Sequence, residues 1–207
     1  MRCTAASESH RDAAATKERI LDAARAAFAR RGYDGTTVRT VAAEAGVAPN
    51  LITRYFGGKS GLFRAATTAE LGVESILPGP TGQLGDRIAA NVVRRWEAAA
   101  AGDPLLMMLR SAGTSDEAAR ELGELFQRQA ARPLAAHLVR GLGCASAAAE
   151  DRAAAIGTLI LGLVTTRYVV RVGPLAEADP RDLEAWLADR IQLLLDRPAP
   201  PLRPRHP

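Results

Sequence analysis

Cysteine and histidine are scarce in this sequence. The 207 residues include two cysteines and three histidines. Cys3 and Cys144 form no CxxC or Cys/His spacing, so the sequence indicates neither a zinc site nor a disulfide framework. Glu-x-x-His pairs, phosphate-binding glycine loops and nucleophile elbows are also absent from it. We therefore expect no catalytic residue, metal ion or cofactor, and a helical-bundle enzyme is a disfavoured alternative.

Aromatic residues are scarce as well. They make up 4% of the chain, whereas hydrophobic residues together make up 47%. Alanine and leucine are abundant, and both favour helices over strands. The composition is typical of a globular protein that can build a real core. It predicts an all-α fold.

No apolar run is long. The longest, residues 153–166, has 14 residues between Arg152 and Arg167, fewer than the roughly 20 that a membrane-spanning helix needs. We predict that it forms a buried helix. The N-terminal segment has no apolar core of the kind that a signal peptide requires. We expect a cytoplasmic protein with no membrane partner.

Positive charge is concentrated in the first third of the chain. Residues 1–66 have 11 Lys/Arg against 6 Asp/Glu, whereas residues 67–207 have 16 against 17. The whole excess therefore lies at the N-terminal end, where it favours a polyanionic partner such as nucleic acid.

Turn-forming residues divide the chain into segments. Residues 1–13 are polar and unpatterned, which predicts a flexible arm, and the proline- and glycine-rich stretch 78–82 is the clearest linker. We predict a first helical domain at 14–76, a second at 77–196 and a proline-rich tail at 197–207. Apolar periodicity predicts helices in the second domain near 83–101, 103–112, 115–141, 147–172 and 180–196, with Pro133 kinking or splitting the third.

Two short helices in the first domain have the spacing of a helix-turn-helix motif. Gly46 supplies the residue that the turn needs in a left-handed conformation, and Pro49 begins the second short helix. A longer helix precedes the pair, and a further helix runs from Lys59 to about residue 76. In the second short helix Ile52 and Phe56 form the inward face, leaving Asn50, Thr53 and Arg54 outward. These side chains can contact base edges in a DNA major groove.

The stretch TKERILDAARAAFARRGYDGTTVRTVAAEAGVAPNLITRYFGGKSGLFRAA, residues 16–66, resembles the DNA-binding domain of the TetR family of transcriptional regulators. The resemblance includes ARRGYDGTTV, the AAEAGV turn, RYF and the following lysine. It implies an all-helical homodimer that binds a double-stranded DNA operator and is released from it by a small-molecule effector. An activator and a ligand-independent regulator remain alternatives.

The resemblance also implies residue roles. Thr37 caps the second helix and contacts phosphate, Arg39 reaches a base or phosphate, and Tyr55 and Lys59 anchor the DNA backbone. The second short helix, which begins at Pro49, is the recognition helix that contacts the bases. The full implied DNA-binding set is Thr37, Arg39, Pro49, Asn50, Thr53, Arg54, Tyr55 and Lys59.

Three departures from the family pattern lie in the second short helix or directly beside it. Thr53 stands where family members usually have tyrosine, and Ala48 stands where they have serine or threonine. Gly57-Gly58 replaces a more usual proline-serine pair, which leaves the fourth helix without a side-chain cap. These departures affect the operator sequence that we expect rather than DNA binding itself.

The second domain has less specific signals. If the resemblance holds, this domain encloses the effector pocket, with Trp96, Met107, Met108 and Phe126 as candidate lining residues. Plain core packing is the alternative for each. The last two long helices carry apolar surfaces that the resemblance assigns to a four-helix dimer interface, although one subunit's own core could absorb some of them. These residues are Ile156, Leu159, Ile160, Leu163, Leu183, Trp186, Leu187 and Ile191.

Overall fold

The structure is a computed structural model that describes residues 4–98 and 103–197, with side chains described from Asp12 onward. These residues form twelve α-helices and no strand, so the all-α prediction is confirmed. The helices are α1 (Thr4–Arg31), α2 (Val38–Ala45), α3 (Pro49–Phe56), α4 (Lys59–Ala66), α5 (Val73–Ile76), α6 (Leu84–Glu97), α7 (Pro104–Ala112), α8 (Asp116–Phe126), α9 (Arg132–Leu142), α10 (Ser146–Val164), α11 (Pro174–Glu177) and α12 (Pro180–Asp196).

The chain divides into two compact units. Unit 1 comprises Met1–Ala69 and Ala100–Leu122, and unit 2 comprises Glu70–Ala99 and Gly123–Pro207. The predicted boundary at residues 76 and 77 is therefore displaced, and α7 with most of α8 groups with the N-terminal helices. The physical reason is that α7 packs on α1. The predicted tail lies outside the described residues except for Arg197.

An aromatic cluster organises unit 1. The ring of Phe63, on α4, makes edge contacts with Phe28 of α1 and Tyr33 of the following turn, with centroid distances of 4.9 and 4.8 Å. Phe28 and Tyr33 stack on each other at 6.0 Å. Because all three rings are buried, the cluster joins the first and fourth helices of unit 1.

Two predicted boundaries of unit 1 are wrong. The helix α1 begins at Thr4, so residues 4–13 are helical instead of forming a flexible arm. The predicted helix from Lys59 to about residue 76 breaks after Ala66. Thr67 is buried and its hydroxyl donates to the Phe63 carbonyl at 2.7 Å, and Gly72 takes a left-handed conformation with φ of 64° before α5 begins.

Pro133 divides the predicted helix over 115–141, as expected. A π-helical turn, Gln127–Ala131, separates α8 from α9. Proline has no backbone N–H with which to continue the α-helical hydrogen bonds. The wider turn just before it accommodates that loss. A second π-helical turn, Thr165–Val170, follows α10.

The core of unit 2 is built on the packing of α6 against α12. A Cβ atom added at Gly85 would lie 2.6 Å from the Ala188 carbonyl oxygen, so the two backbones approach closely at this glycine. The Gly85 N–H also donates to the Gln192 side-chain oxygen at 3.0 Å. Apolar side chains of α9 and α10 complete the same core, among them Leu134, Leu138 and Ile156.

The apolar run in α10 is not a fully buried helix. The segment Ser146–Val170 is long and apolar enough to cross a membrane, with a mean hydropathy of 1.6, and 28% of that window is buried in the chain. The prediction of a buried helix is thus wrong for most of its surface. One face, including Ile156 and Leu163, enters the core, and the opposite face, including Ala154 and Thr158, is exposed.

Gly61 permits a close approach of α4 to the end of α3. A Cβ atom at this position would lie 1.8 Å from the Phe56 carbonyl oxygen. We predict that Gly61→Ala lowers the free energy of unfolding by about 1–3 kcal/mol, because α3 and α4 must separate to relieve the overlap. Urea denaturation followed by circular dichroism measures it.

Gly123→Ala is the matched control. A Cβ atom at Gly123 meets nothing within 4 Å, and the residue lies within α8. Replacing a glycine within a helix by alanine should raise the free energy of unfolding by up to about 1 kcal/mol. Equal effects of the two substitutions would contradict the close approach at Gly61.

Candidate functional site

The turn between α2 and α3 has the predicted geometry. Gly46 is left-handed, with φ of 64° and ψ of 40°. The Val47 N–H donates to the Ala42 carbonyl at 3.0 Å and thereby closes the end of α2. At the other end, the Thr37 hydroxyl accepts from the Thr40 N–H at 3.1 Å, so the predicted N-cap is confirmed. The two short helices therefore have defined ends around a glycine turn.

The helix α3 presents a polar face to solvent. Ile52 is fully buried and Phe56 is half-buried, so these two residues hold the helix to the body of unit 1. Asn50, Thr53 and Arg54 are exposed. Their amide, hydroxyl and guanidinium groups are able to donate to or accept from base edges. Pro49, also exposed, occupies the first turn.

Tyr55 and Lys59 are half-buried and have partners in unit 1. The Lys59 ammonium lies 4.3 Å from the centroid of the Tyr33 ring and 3.4 Å from the Asp34 carbonyl oxygen. The Lys17 ammonium lies 5.2 Å from the centroid of the Tyr55 ring. These contacts restrict both side chains at the edge of the exposed α3 face.

Tyr33 and Lys17 were not singled out by the sequence. Tyr33 is 8% exposed and links the aromatic cluster to Lys59. Burial, followed by the nearby carboxylate of Glu117, raises the pKa of its phenol. The sequence GYDG, residues 32–35, predicts only a turn. Nothing in it indicates that Tyr33 contacts Lys59, which lies 26 positions later.

Ion pairs brace α2 against α1. The Arg30 and Arg31 guanidinium groups lie 2.8 and 2.9 Å from the two carboxylate oxygens of Glu44. Hydrogen bonds from Arg31 and then Arg30 hold the pKa of Glu44 below its usual range. Since the carboxylate is at the surface, we assign it a positioning role for α2 rather than a large stabilising energy.

A second ion pair joins α4 to α8 within unit 1. Arg64 donates two hydrogen bonds to Glu121, from Nε at 2.9 Å and from a terminal nitrogen at 2.6 Å. The Glu121 carboxylate is 2% exposed, and Arg120 also donates to it at 3.3 Å. The sequence offers no signal for this contact, because 57 residues separate the partners.

Unit 2 contains an apolar cavity of about 290 Å³. Parts of α5, α6, α9, α10 and the π-helical turn Gln127–Ala131 surround it. Trp96 and Phe126, two of the four candidate pocket residues, line it. Met107 and Met108 do not, because they are buried in unit 1. We refer to it as the inner cavity.

A polar network lies beside Trp96. The Tyr168 ring stacks on Trp96 at a centroid distance of 5.8 Å, and its hydroxyl donates to Glu97 at 2.7 Å. Arg167, which is buried, donates to the same carboxylate oxygen at 2.8 and 3.0 Å. Burial, then the hydrogen bond to Glu97, raises the pKa of Tyr168 to about 12. The phenol therefore stays protonated at physiological pH, and the network holds Trp96 against the π-helical turn Thr165–Val170.

The eight predicted dimer-interface residues fall into two groups. Five lie in the core of unit 2, so their side chains are already covered within one subunit: Ile156, Leu163, Leu183, Leu187 and Ile191. Leu159, Ile160 and Trp186 are only partly buried. Leu193 on α12, which the sequence did not single out, is 48% exposed.

The comparisons with known proteins agree with this arrangement. Residues 20–66 match the family model for bacterial regulatory proteins of the tetR family, and residues 82–195 match the model for the tetracyclin repressor-like C-terminal domain. The chain is 49% identical over 53 residues to the HTH-type transcriptional repressor SCO4008 of Streptomyces coelicolor, an alignment covering 26% of this chain and 28% of that protein.

Solved structures extend the similarity to most of the chain. The TetR-family regulator SCO0857 of Streptomyces coelicolor is 29% identical, with 88% of this chain and 95% of that chain covered and a TM-score of 0.66. The regulator FadR of Bacillus subtilis, solved with stearoyl-CoA, is 18% identical, with coverages of 86% and 96% and a TM-score of 0.63. At that identity the second likeness shows the fold alone.

The fold and the exposed helix-turn-helix together define a DNA-binding regulator of the all-helical class. The chain belongs to the TetR family of transcriptional regulators. It is a regulator and not an enzyme, so the helical-bundle enzyme is set aside.

The helix α3 lacks a side-chain cap at its N-terminus. Ala48 occupies the N-cap position without a side-chain hydrogen bond, whereas Thr37 caps α2. We predict that Ala48→Ser raises the free energy of unfolding by about 1 kcal/mol, because a serine hydroxyl accepts from a free N–H of the first turn. Thr37→Ala should lower it by a similar amount. Chemical denaturation measures both, and a serine that leaves stability unchanged contradicts the assignment.

Proposed function

We propose that this protein is a cytoplasmic, homodimeric repressor that binds a DNA operator and leaves it when a small molecule occupies unit 2. The observation that carries the proposal is the exposed polar face of α3, held to the body by the buried Ile52. A recognition helix needs both properties, because side chains must reach base edges while the helix stays fixed. The similarity to a named repressor over 53 residues supports repression in preference to activation.

Residues around the motif divide into reading and anchoring groups. Asn50, Thr53 and Arg54 contact base edges, and the Thr53 methyl suits the C5-methyl group of thymine. Pro49 belongs to the same recognition face, and Arg39 reaches a base or a phosphate. Thr37, Tyr55 and Lys59 contact the DNA backbone. Phosphate contacts fix the register of the protein on the duplex, whereas base contacts select the sequence.

Arg54→Ala and Lys59→Ala separate these two groups. We expect Arg54→Ala to reduce discrimination at one base pair by about 1–3 kcal/mol and Lys59→Ala to weaken binding to all sequences alike. Lys59→Ala should also reduce the dependence of affinity on salt, since a phosphate contact releases counterions. Fluorescence anisotropy with DNA from beside the gene, at several salt concentrations, measures both effects.

Arg140→Ala is the matched control for this experiment. Arg140 is an exposed arginine on α9 in unit 2, outside the proposed interface. Its replacement should leave affinity and salt dependence unchanged. Identical profiles for Arg54→Ala and Lys59→Ala contradict the division into reading and anchoring residues. Binding that is indifferent to salt contradicts the proposed function.

Dimerisation rests on the apolar surface that unit 2 leaves uncovered. Leu159 on α10 and Trp186 on α12 are only partly buried, and Leu193 is 48% exposed. Trp186 and Leu193 are seven positions apart and so share one face of α12. Symmetric pairing of these helices would cover that face and place two α3 helices on one operator. The five residues of the predicted set that lie in the core of unit 2 pack behind this surface and hold α10 and α12 in place.

We predict that Leu193→Glu shifts the protein from dimer to monomer in sedimentation equilibrium. A carboxylate placed on an apolar interface loses its hydration without gaining a partner. Val139→Glu is the control, because Val139 is 38% exposed on α9 and lies outside the proposed interface. A Leu193→Glu variant that remains fully dimeric overturns this surface as the interface.

The effector role rests on the inner cavity. Its wall is mostly apolar, with Arg95 and Asn91 among its few polar residues, and Trp96 and Phe126 contribute aromatic surface to it. Pockets of this kind are the usual sites for small molecules in proteins. A ligand that favours the conformation unable to bind DNA lowers operator affinity by its differential affinity for the two states. Met107 and Met108 have no part in this proposal.

A further inference from the structure

The two lysines of this chain have similar surroundings. Lys17 and Lys59 are the only lysines in the sequence, and all the other residues of the Lys/Arg set are arginines. Both ammonium groups lie over tyrosine rings of unit 1, that of Lys59 at 4.3 Å from the centroid of Tyr33 and that of Lys17 at 5.2 Å from the centroid of Tyr55. Lys59 and Tyr55 belong to the implied DNA-binding set, whereas Lys17 stands outside it.

Lys17 extends the packed face of α1 by one turn. Ile20 and Ala24, three and seven positions later, are fully buried, and residues with this spacing share one face of a helix. Lys17 itself is exposed, and its ammonium reaches Tyr55 in the last turn of α3. The packing of α1 therefore fixes where the lysine stem begins, and the aromatic ring fixes where its charge lies, beside the C-terminal end of α3.

The charge of Lys17 is not neutralised by a carboxylate. Arg25, Arg30 and Arg31 on the same helix form ion pairs at 2.8 or 2.9 Å. Among the residues that the structure describes, none offers Lys17 a carboxylate within ion-pair distance. The cation–π contact with Tyr55 leaves the N–H donors of the ammonium able to bond to a further acceptor. An anion that approaches this edge of α3 therefore meets an uncompensated positive charge.

We propose that Lys17 is a further anchor for the DNA backbone, with its ammonium donating to a phosphate oxygen beside the C-terminal end of α3. This role rests on the proposed function, because operator binding is what brings a phosphate to that edge. Phosphate contacts fix the register of a protein on the duplex and carry no sequence information. Lys17 thus contributes to affinity for every sequence, as Lys59 does, and not to the choice of operator.

Lys17→Met separates a phosphate contact from a packing role. Methionine keeps an unbranched apolar stem against Tyr55 and removes the charge. We expect the slope of log affinity against log salt concentration to become shallower by about 0.9, the contribution of one phosphate contact on B-DNA. Affinity at about 0.1 M salt should fall by about 3- to 10-fold. Lys17→Arg keeps the charge and should keep the wild-type slope. Fluorescence anisotropy with DNA from beside the gene measures these effects.

Arg19→Met is the matched control. Arg19 is an exposed arginine on α1, two positions from Lys17 and so about 200° around the helix. Its replacement removes the same charge from the opposite side of α1 and should leave the slope unchanged. A Lys17→Met variant with the wild-type slope overturns the phosphate contact, and equal changes in the two variants overturn its placement beside α3.

Failure of this role is distinguishable from failure of the proposed function. A wild-type protein that binds the DNA without salt dependence, or does not bind it, contradicts the proposed function before any variant is compared. Salt-dependent binding by the wild-type protein together with an unaltered slope in Lys17→Met contradicts only the role of Lys17.

The scarcity of lysine permits a second test on the unmodified chain. Lys17 and Lys59 carry the only side-chain amines, so acetylation by sulfo-NHS acetate followed by mass spectrometry reports on each separately. Bound DNA should slow the acetylation of both by at least about threefold, and the protection should vanish at about 1 M salt, where the complex dissociates. Protection of Lys59 without Lys17 overturns the proposed contact. Protection of neither, in a complex that anisotropy shows to be formed, overturns the anchoring role of both lysines.

Discussion

The burial of Ile52 is the contact on which the proposed DNA-reading role of α3 depends. The helix α3 has eight residues, too few to be stable in water by itself, and it has no side-chain cap. Its position must therefore come from packing. Ile52 is fully buried in unit 1, whose core also contains the cluster of Phe28, Tyr33 and Phe63. With the helix fixed on one side, its other side is free to present an amide, a hydroxyl and a guanidinium.

Unit 1 strengthens this arrangement through polar contacts of a different kind. Glu44 receives two arginines from α1 and so fixes α2, while Glu121 receives Arg64 and fixes α4 against α8. The second pair has the greater consequence, because a carboxylate that is 2% exposed must keep its partner.

Local signals in the sequence were sufficient to predict the helix-turn-helix. They did not predict most of the contacts that hold it in unit 1. Gly46, Thr37 and Pro49 each form a turn or a helix end with residues only a few positions away, so their roles follow from the local spacing. The Tyr33–Lys59 and Arg64–Glu121 contacts join distant positions, and neither has a periodicity that reveals it. Met107 is apolar and adaptable, which suits a pocket. Apolarity alone, however, does not tell whether a residue belongs to the core of unit 1 or to that of unit 2. The buried α10 was likewise expected from composition, which contains no information on which face is covered.

The missing caps of α3 and α4 have a consequence for the dynamics of the motif. Ala48 and Gly58 leave the first N–H groups of both helices to water, and Gly57 and Gly58 add two residues with positive φ between the helices. The local free energy of opening is lowest where short segments lack such fixed ends. The helix α3 is therefore anchored at its middle by Ile52 and at its C-terminal end by Phe56, and it is least fixed at its N-terminus. Such a helix can adjust its N-terminal turn while the core contacts of Ile52 and Phe56 stay in place.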